Sequence, residues 1–246
     1  MTKFSDEREK LLAEAKRHVA TSVTDDTLII QAVTSLEQLE QATNSLVKKA
    51  REWYGVLSPE PERAVKDHEK FLNMVAMRSK EELAAEFGAE MGGTLSPEDE
   101  AAIMDYLTAV RALYAERQRI LIYLERKMKA HCPNVTSLAG ATIGAKLLSH
   151  AGSLDRLATV PSSTLQLFGA ETALFRHLRD KRKHRSPKYG VIFNHPLIQK
   201  LPQQERGKAA RNLADKLSLC AKLDRFKGEF KAEEYKKALA AKFTEW

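Results

Sequence analysis

The chain has 246 residues and a net charge of +7, with few aromatic residues (7 %) and only 11 glycines. Alanine, leucine, glutamate, lysine and arginine dominate, which favours an all-α protein of one or two domains. Cys132 and Cys220 form no CxxC pair, so a disulfide framework is excluded and both are expected to be buried free thiols. No signal peptide is visible, and no apolar run approaches the roughly 20 residues of a membrane span. We therefore expect a soluble intracellular protein with no membrane partner.

The charge is unevenly distributed between the two halves of the chain. Residues 1–130 carry 19 basic and 23 acidic residues, a net −4, whereas residues 131–246 carry 21 and 10, a net +11. A basic second half favours binding to RNA or DNA, although a basic surface that only keeps the protein soluble is a common alternative.

The first half predicts two long helices with matching apolar seams. Residues 5–54 have a helical pattern with a 3-4 spacing of apolar positions, and a second such helix starts at Ser96. The predicted seams are Ile29, Ala32, Leu36, Leu39, Thr43, Leu46, Ala50 and Trp53, and Ile103, Tyr106, Val110, Leu113, Arg117, Ile120 and Leu124. With short helices over residues 62–90 as a tip, they should form a long antiparallel coiled-coil hairpin. The hairpin either only holds its two ends apart or provides a surface for dimerisation, and the sequence leaves both interpretations open.

Pro133 marks the predicted boundary between a coiled-coil domain, residues 1–132, and a compact helical domain, residues 133–246. Within the second domain, Gly169 interrupts an apolar segment and a helical pattern restarts at Ala170. Leu174 and Leu178 share one face of this helix, and a basic run follows it. Such a helix is suited to contact a polyanion.

The sequence contains no phosphate-binding glycine loop, no nucleophile with a paired base and no dinucleotide fingerprint. His177, His184 and His195 lack the paired spacing of metal ligands. We therefore expect neither an enzyme, nor a cofactor, nor a metal site.

Four blocks of the second half, together with residues 25–55, resemble the Nop domain and coiled coil of the box C/D ribonucleoprotein core proteins. That family includes archaeal Nop-five, nucleolar Nop fifty-six and fifty-eight, and the spliceosomal Prp thirty-one protein. The blocks are LAGATIGAKLLSHAGSLDRLA (138–158), PSSTLQLFGAETALFRHLR (161–179), YGVIFNHPLI (189–198) and RGKAARNLADKLSLCAKLDRF (206–226). The resemblance covers nearly the whole chain, and several blocks in order are far more specific than one motif.

The resemblance implies a non-catalytic scaffold that binds a kink-turn RNA together with a small kink-turn-binding protein related to a ribosomal protein. The family's GAEKALF block lies at that joint and reads GAETALF here, so Thr172 stands where the archaeal and nucleolar members have lysine. Leu174, Phe175 and Leu178 are expected to be mainly core, with only one of them at a partner surface. The candidate binding residues are Gly169, Ala170, Glu171, Thr172, Ala173, Arg176, His177, Arg179, Arg182, Lys183, His195, Arg206, Lys208 and Arg211.

These residues have different expected roles. The arginines and lysines would contact phosphates, which sets affinity without reading sequence. Glu171 accepts either from a base or from a basic partner side chain, or only complements the helix dipole. His195 is either a cap near the RNA stem or a packed loop histidine, and Arg206 either reaches RNA or pairs with a neighbouring acid.

The resemblance also bears on partners and location. Members that assemble the 2′-O-methylation complex carry a preceding domain that docks fibrillarin, and this sequence starts at the coiled coil, so fibrillarin recruitment is not expected. Alternatives are a methylation-independent assembly factor similar to Prp thirty-one, or a helical dimerisation module with no specific RNA role. The expected location is the cytoplasm of an archaeon, or the nucleus or nucleolus of a eukaryote.

Overall fold

The computed structural model describes residues 2–88 and 91–243, which are helical with no β-strand. The all-α prediction is confirmed. Residues 244–246 of the predicted C-terminal helix lie outside the described residues. The helices are α1 (Thr2–Thr21), α2 (Asp25–Leu57), α3 (Pro59–Ala64), α4 (His68–Met77), α5 (Lys80–Phe87), α6 (Pro97–His131), α7 (Pro133–Ala139), α8 (Ala141–Ala151), α9 (Leu154–Thr159), α10 (Ser162–Leu165), α11 (Glu171–Arg179), the 3-10 helix η1 (Val191–Asn194), α12 (Pro196–Lys200), α13 (Gln203–Arg225) and α14 (Ala232–Lys242). None of the described helices is both long and apolar enough to cross a membrane.

The chain forms two compact units. One contains Ser35–Ile122, and the other contains the residues up to Thr34 and those from Tyr123 onward. The second unit therefore includes the beginning of α2 and the end of α6 as well as α7–α14. The functional boundary at residues 132/133 stays a prediction.

In the Ser35–Ile122 unit, α2 and α6 run antiparallel. Glu40 Oε1 accepts from Arg117 Nη2 at 2.8 Å, and the rings of Trp53 and Tyr106 lie 5.6 Å apart. As the residue number rises along α2, its partner's number falls along α6. The short helices α3–α5 complete the unit around a core that includes Tyr54, with the other members Val47, Ala50, Leu57, Phe71, Leu72, Val75, Leu83, Ile103, Leu107 and Val110.

The seam of α2 departs from the prediction at two positions in the second half of the helix. Thr43 and Ala50 are buried as expected, but Leu46 and Trp53 are exposed, and Val47 and Tyr54 take their places. The sequence offers apolar residues at both members of each pair, so local spacing alone cannot select between a 3-4 and a 4-3 pattern.

In the other unit, α13 is the central helix and packs against α7, α9, α10, α12 and α14. Its buried face consists mainly of alanine and leucine, which allows several helices to approach it closely. Cys220 lies on this face and Cys132 at the start of α7, and both are free and buried as predicted. Burial raises the pKa of the Cys220 thiol to about 12, which makes it unreactive.

A buried polar cluster joins the ends of three helices in this unit. The Asp224 carboxylate, on α13, accepts from the backbone amides of Asn134 and Val135 at 2.9 Å each and so caps the start of α7. Asn134 Oδ1 in turn accepts from the amides of Lys231 and Ala232 at the start of α14. Burial raises the pKa of Asp224 although these hydrogen bonds favour its ionised form. The cluster satisfies amides that would otherwise be buried without partners.

A second polar contact lies between the start of α2 and the end of α6. His131 Nε2 lies 2.7 Å from Asp26 Oδ1, and Asp26 Oδ2 accepts from the Leu154 amide. The hydrogen bond to Asp26 raises the pKa of His131. Burial acts to raise the pKa of Asp26, but its hydrogen bonds with His131 and Leu154 lower it overall.

This pair predicts a pH-dependent stability. A histidine with a raised folded-state pKa stabilises fully below its unfolded pKa of about 6.5, and the effect is lost as pH rises through the folded value. Asp26 contributes above its unfolded pKa of about 3.9 and loses its contribution as pH falls through the lower folded value. His131→Gln should therefore cost roughly 1 kcal/mol more at pH 5.5 than at pH 8.5, measured by urea unfolding. His18→Gln, an exposed histidine of α1, is the matched control. Equal costs for His131→Gln at the two pH values would contradict the assignment.

Candidate nucleic-acid interface

The site begins where residues 166–169 and residues 188–191 are held together by hydrogen bonds, and we call this contact the glycine joint. The Gly190 amide donates to the Gln166 carbonyl at 3.1 Å, and the Val191 amide donates to the Phe168 carbonyl at 2.7 Å. The Gln166 side chain adds a hydrogen bond from Nε2 to the Lys188 carbonyl at 2.6 Å. Three hydrogen bonds between the segments fix the point from which α11 leaves the fold.

The two glycines of the joint are required by geometry. A Cβ on Gly190 would lie 1.9 Å from the Phe168 carbonyl oxygen, which is backbone and cannot rotate away. Gly169 has φ +83°, a conformation that favours glycine, and a Cβ there would lie 2.6 Å from Val191 Cγ2. The predicted interruption at Gly169 is confirmed, and Ala170 is the residue that precedes the first turn of α11.

Glu171 braces the start of α11. Its Oε1 accepts from the Gly169 amide at 2.8 Å and lies 3.3 Å from Nδ1 of His150, whose ring stacks on Phe168. Burial acts to raise the pKa of Glu171, but the amides of Gly169 and Glu171 itself and the nearby His150 lower it overall. A carboxylate already occupies this helix end, which favours the helix-dipole interpretation of Glu171.

Helix α11 has no buried residue. Phe175 and Leu178 are 64 % and 55 % exposed, so the expectation that these apolar residues are mainly core is wrong. Leu174, on the same face, is half-buried. The amphipathic pattern predicted the helix correctly, but none of the described residues buries Phe175 or Leu178.

The basic residues of α11 lie on the adjacent face. At 100° per residue, Thr172, Arg176 and Arg179 lie along one stripe next to that of Phe175 and Leu178. Thr172, Ala173, Arg176 and Arg179 are all exposed. One helix therefore presents an apolar surface and a cationic surface side by side.

The loop after α11 is held close to the helix. Asp180 Oδ1 accepts from the amides of Arg182 and Lys183 at 3.1 and 3.2 Å, which forms a tight turn. His177 Nδ1 donates to the His184 carbonyl at 2.7 Å. The side chains of Arg182 and Lys183 are exposed, and His177 has a bracing role in this turn.

A basic cleft lies between this loop and α13. It has a volume of about 450 Å³, and its lining includes Lys188, Lys208 and Arg211 together with Gln166 and Gln204. Gly207 allows the close approach, since a Cβ there would lie 3.2 Å from Lys188 Cδ. The structure thus brings two of the predicted cations of α13 together with the basic loop.

Two predicted site residues have contacts inside the fold. His195 is 4 % exposed, its Nε2 donates to the Leu138 carbonyl at 2.9 Å, and its Nδ1 accepts from the Leu197 amide. Burial lowers the pKa of His195. Of its two interpretations, this position favours the packed loop histidine. Arg206 donates from Nε to the Leu201 carbonyl at 2.8 Å, so it caps the end of α12 rather than pairing with an acid.

Comparisons with known proteins decide the family. A family model described as Nop, snoRNA binding domain, fibrillarin, matches residues 35–245. The chain belongs to the Nop family. The chain is 37 % identical over 227 residues to an uncharacterized NOP5 family protein of Methanocaldococcus jannaschii, covering 85 % of this chain and 54 % of that protein. It is 36 % identical over 217 residues to nucleolar protein 58 of Schizosaccharomyces pombe, covering 81 % and 42 %.

A solved structure agrees with this assignment. The Nop chain is similar to a chain in the crystal structure of a fibrillarin/Nop5p complex, with a TM-score of 0.58 and 28 % identity, covering 100 % of this chain and 80 % of that one. The chain spans about half the length, or less, of the curated relatives named above.

Three residues that were not predicted from the sequence stabilise the joint at which α11 begins. His150, Gln166 and Val191 hold the joint, yet none was singled out, because their partners are distant in sequence. Their membership of the matching blocks was the available signal. Within the described residues, no three His, Cys, Asp or Glu side chains are placed to hold a metal ion.

Proposed function

We propose that the chain is a non-catalytic scaffold of a box C/D-type ribonucleoprotein, which binds a kink-turn RNA together with its kink-turn-binding, ribosomal-protein-like partner. The observation that carries this proposal is the surface of α11. This helix has no buried residue and presents Phe175 and Leu178 next to Arg176 and Arg179. An apolar stripe suits a protein surface and a cationic stripe suits phosphates, so one helix can contact both partners.

The surroundings of α11 support a positioned contact. The glycine joint fixes where the helix begins, and the exposed Arg182 and Lys183 extend the cationic surface beyond its end. The cleft with Lys188, Lys208 and Arg211 adds three cations that RNA phosphates can neutralise. The description of the matching family model as an snoRNA binding domain supports an RNA partner of this type.

The cellular location of the chain and its further partners are also proposals, and they are based on the relatives. Nucleolar protein 58 and the archaeal NOP5 relative suggest the nucleolus of a eukaryote or the cytoplasm of an archaeon. Fibrillarin is a candidate partner because the similar solved chain is in a complex with it. Dimerisation through the α2–α6 hairpin stays a prediction.

A titration tests the proposed function. The chain is added to a labelled kink-turn RNA with and without the primary kink-turn-binding protein, and the apparent Kd is measured by fluorescence anisotropy. Tight binding should need both partners, with a gap of about 100-fold, the upper range of usual coupling between ligands. The matched control is an RNA in which a continuous duplex replaces the kink. Equal affinity for both RNAs would contradict the proposal and would favour a basic surface that only keeps the protein soluble.

A further inference from the structure

The turn that follows α13, residues 225–230 (RFKGEF), exposes two aromatic side chains. Phe226 is 75 % exposed and Phe230 is 55 % exposed. Phe226 is as exposed as any large hydrophobic side chain of the described residues. Aromatic rings in water lose the favourable transfer that burial would give them, so two within five residues suggest a surface that a partner covers.

Cations alternate with these aromatic rings. Arg225, Lys227 and Lys231 stand beside Phe226 and Phe230 in the sequence, and the Arg225 guanidinium lies 5.8 Å from the Phe226 ring centre. Lys222 is exposed one turn earlier on α13. The acids of the same region already have partners: Arg225 Nη2 donates to Asp155 Oδ2 at 3.2 Å, and Lys231 Nζ lies 3.2 Å from Glu229 Oε2.

Lys227 has a backbone conformation in which glycine is usual. The Gly228 amide donates to the Leu223 carbonyl at 2.8 Å, and α13 therefore ends in a Schellman motif whose left-handed position is Lys227, with φ +52°. It is the one non-glycine residue with positive φ among the described residues. A non-glycine residue in this conformation has a backbone cost of about 1 kcal/mol, which glycine at the same position would remove.

A cleft of about 550 Å³ adjoins the turn, within the usual range of small-ligand sites, about 300–1,000 Å³. Lys227 and Phe230 line it, together with His131 and several aspartates. Each of these aspartates has a hydrogen-bonding or ion-pairing partner within the fold. Asp25 pairs with Lys127, Asp26 with His131, Asp155 with Arg225, and Asp224 with backbone amides.

We propose that the 225–230 turn is a second nucleic-acid contact, which binds an unpaired stretch of RNA. Bases stack on Phe226 and Phe230, while Lys222 and Lys227 neutralise the phosphates between them. Stacking on aromatic faces combined with flanking cations is how sequence-tolerant single-strand sites work. This contact does not depend on α11, and the two sites can be tested separately.

The test measures binding of a labelled, unstructured ten-nucleotide oligouridine RNA to the full chain by fluorescence anisotropy. Phe226→Ala and Phe230→Ala should each weaken binding about tenfold, in line with the usual contribution of one stacked base. Phe226→Tyr should retain the wild-type Kd because the ring is kept. Lys227→Gly should raise Tm by roughly 2–4 °C and still weaken RNA binding, since it relieves the backbone while removing a cation.

The matched control is Met77→Ala, which removes an equally exposed apolar side chain from the Ser35–Ile122 unit and should leave the Kd unchanged. Arg176→Ala with Arg179→Ala should reduce kink-turn assembly while the oligouridine Kd keeps its dependence on Phe226. Wild-type oligouridine affinity in the Phe226→Ala/Phe230→Ala variant would overturn the proposal, and would point to a protein as the occupant of the turn. That result would leave the kink-turn proposal unaffected.

Discussion

Gly190→Ala is expected to destabilise the second unit by at least about 3 kcal/mol and to abolish ribonucleoprotein assembly. The added Cβ would lie 1.9 Å from the Phe168 carbonyl oxygen and 3.0 Å from that of Leu167, so the backbone of the joint must separate. Separation breaks the hydrogen bonds from Gly190 to Gln166 and from Val191 to Phe168 that fix the start of α11. Urea unfolding and the kink-turn titration measure the two effects.

Gly55→Ala is the matched control for this substitution. Gly55 lies inside α2, and a Cβ there meets nothing within 4 Å. The same chemical change should therefore stabilise the protein by roughly 0.5–1 kcal/mol, because alanine favours the helix. If Gly190→Ala and Gly55→Ala proved equally mild, the joint would not have the tight geometry described above.

Replacing Arg176 and Arg179 together by alanine should weaken the complex with kink-turn RNA and its protein by about 100-fold. Each arginine lost from a phosphate contact should also reduce the slope of log K against log salt by about 1. Both side chains are exposed, so the fold should be unaffected and Tm should stay within about 1 °C. Titrations at several salt concentrations give affinity and slope together.

Two comparisons make this prediction specific. Lys48→Ala with Lys66→Ala removes the same charge from exposed positions in the Ser35–Ile122 unit and should change neither Kd nor slope appreciably. Phe175→Ala should weaken the complex at an unchanged slope, because it removes apolar contact and no charge. If both pairs of charge substitutions had the same effect, net charge rather than α11 would control RNA binding.

How far the sequence predicted the structure depends on the range of the interactions involved. The interruption at Gly169 and the start of α11 follow from glycine and helical periodicity, which are local. The antiparallel pairing of α2 with α6 followed from two seams of similar length. The exact seam did not, because neighbouring apolar residues at 46 and 47 compete for one position.

Long-range polar contacts could not be predicted from one sequence. Asp224 and Asn134 are 90 residues apart, and Asp26 and His131 are 105 apart, so no local spacing connects them.

The apolar residues of α11 were misassigned for a different reason. A hydrophobic stripe predicts that something covers it, and the sequence of one chain does not reveal whether that cover is its own core or another molecule.

The absence of any buried residue in α11 has an energetic consequence for assembly. A nine-residue helix is shorter than the roughly 12–15 residues at which isolated helices become marginal in water, and most protein helices derive their stability from packing. Partners that bind α11 as proposed would therefore supply part of the free energy that keeps this segment helical. The cost of ordering this backbone would reduce the net binding free energy of the proposed complex, so the complex should dissociate readily when one component is missing.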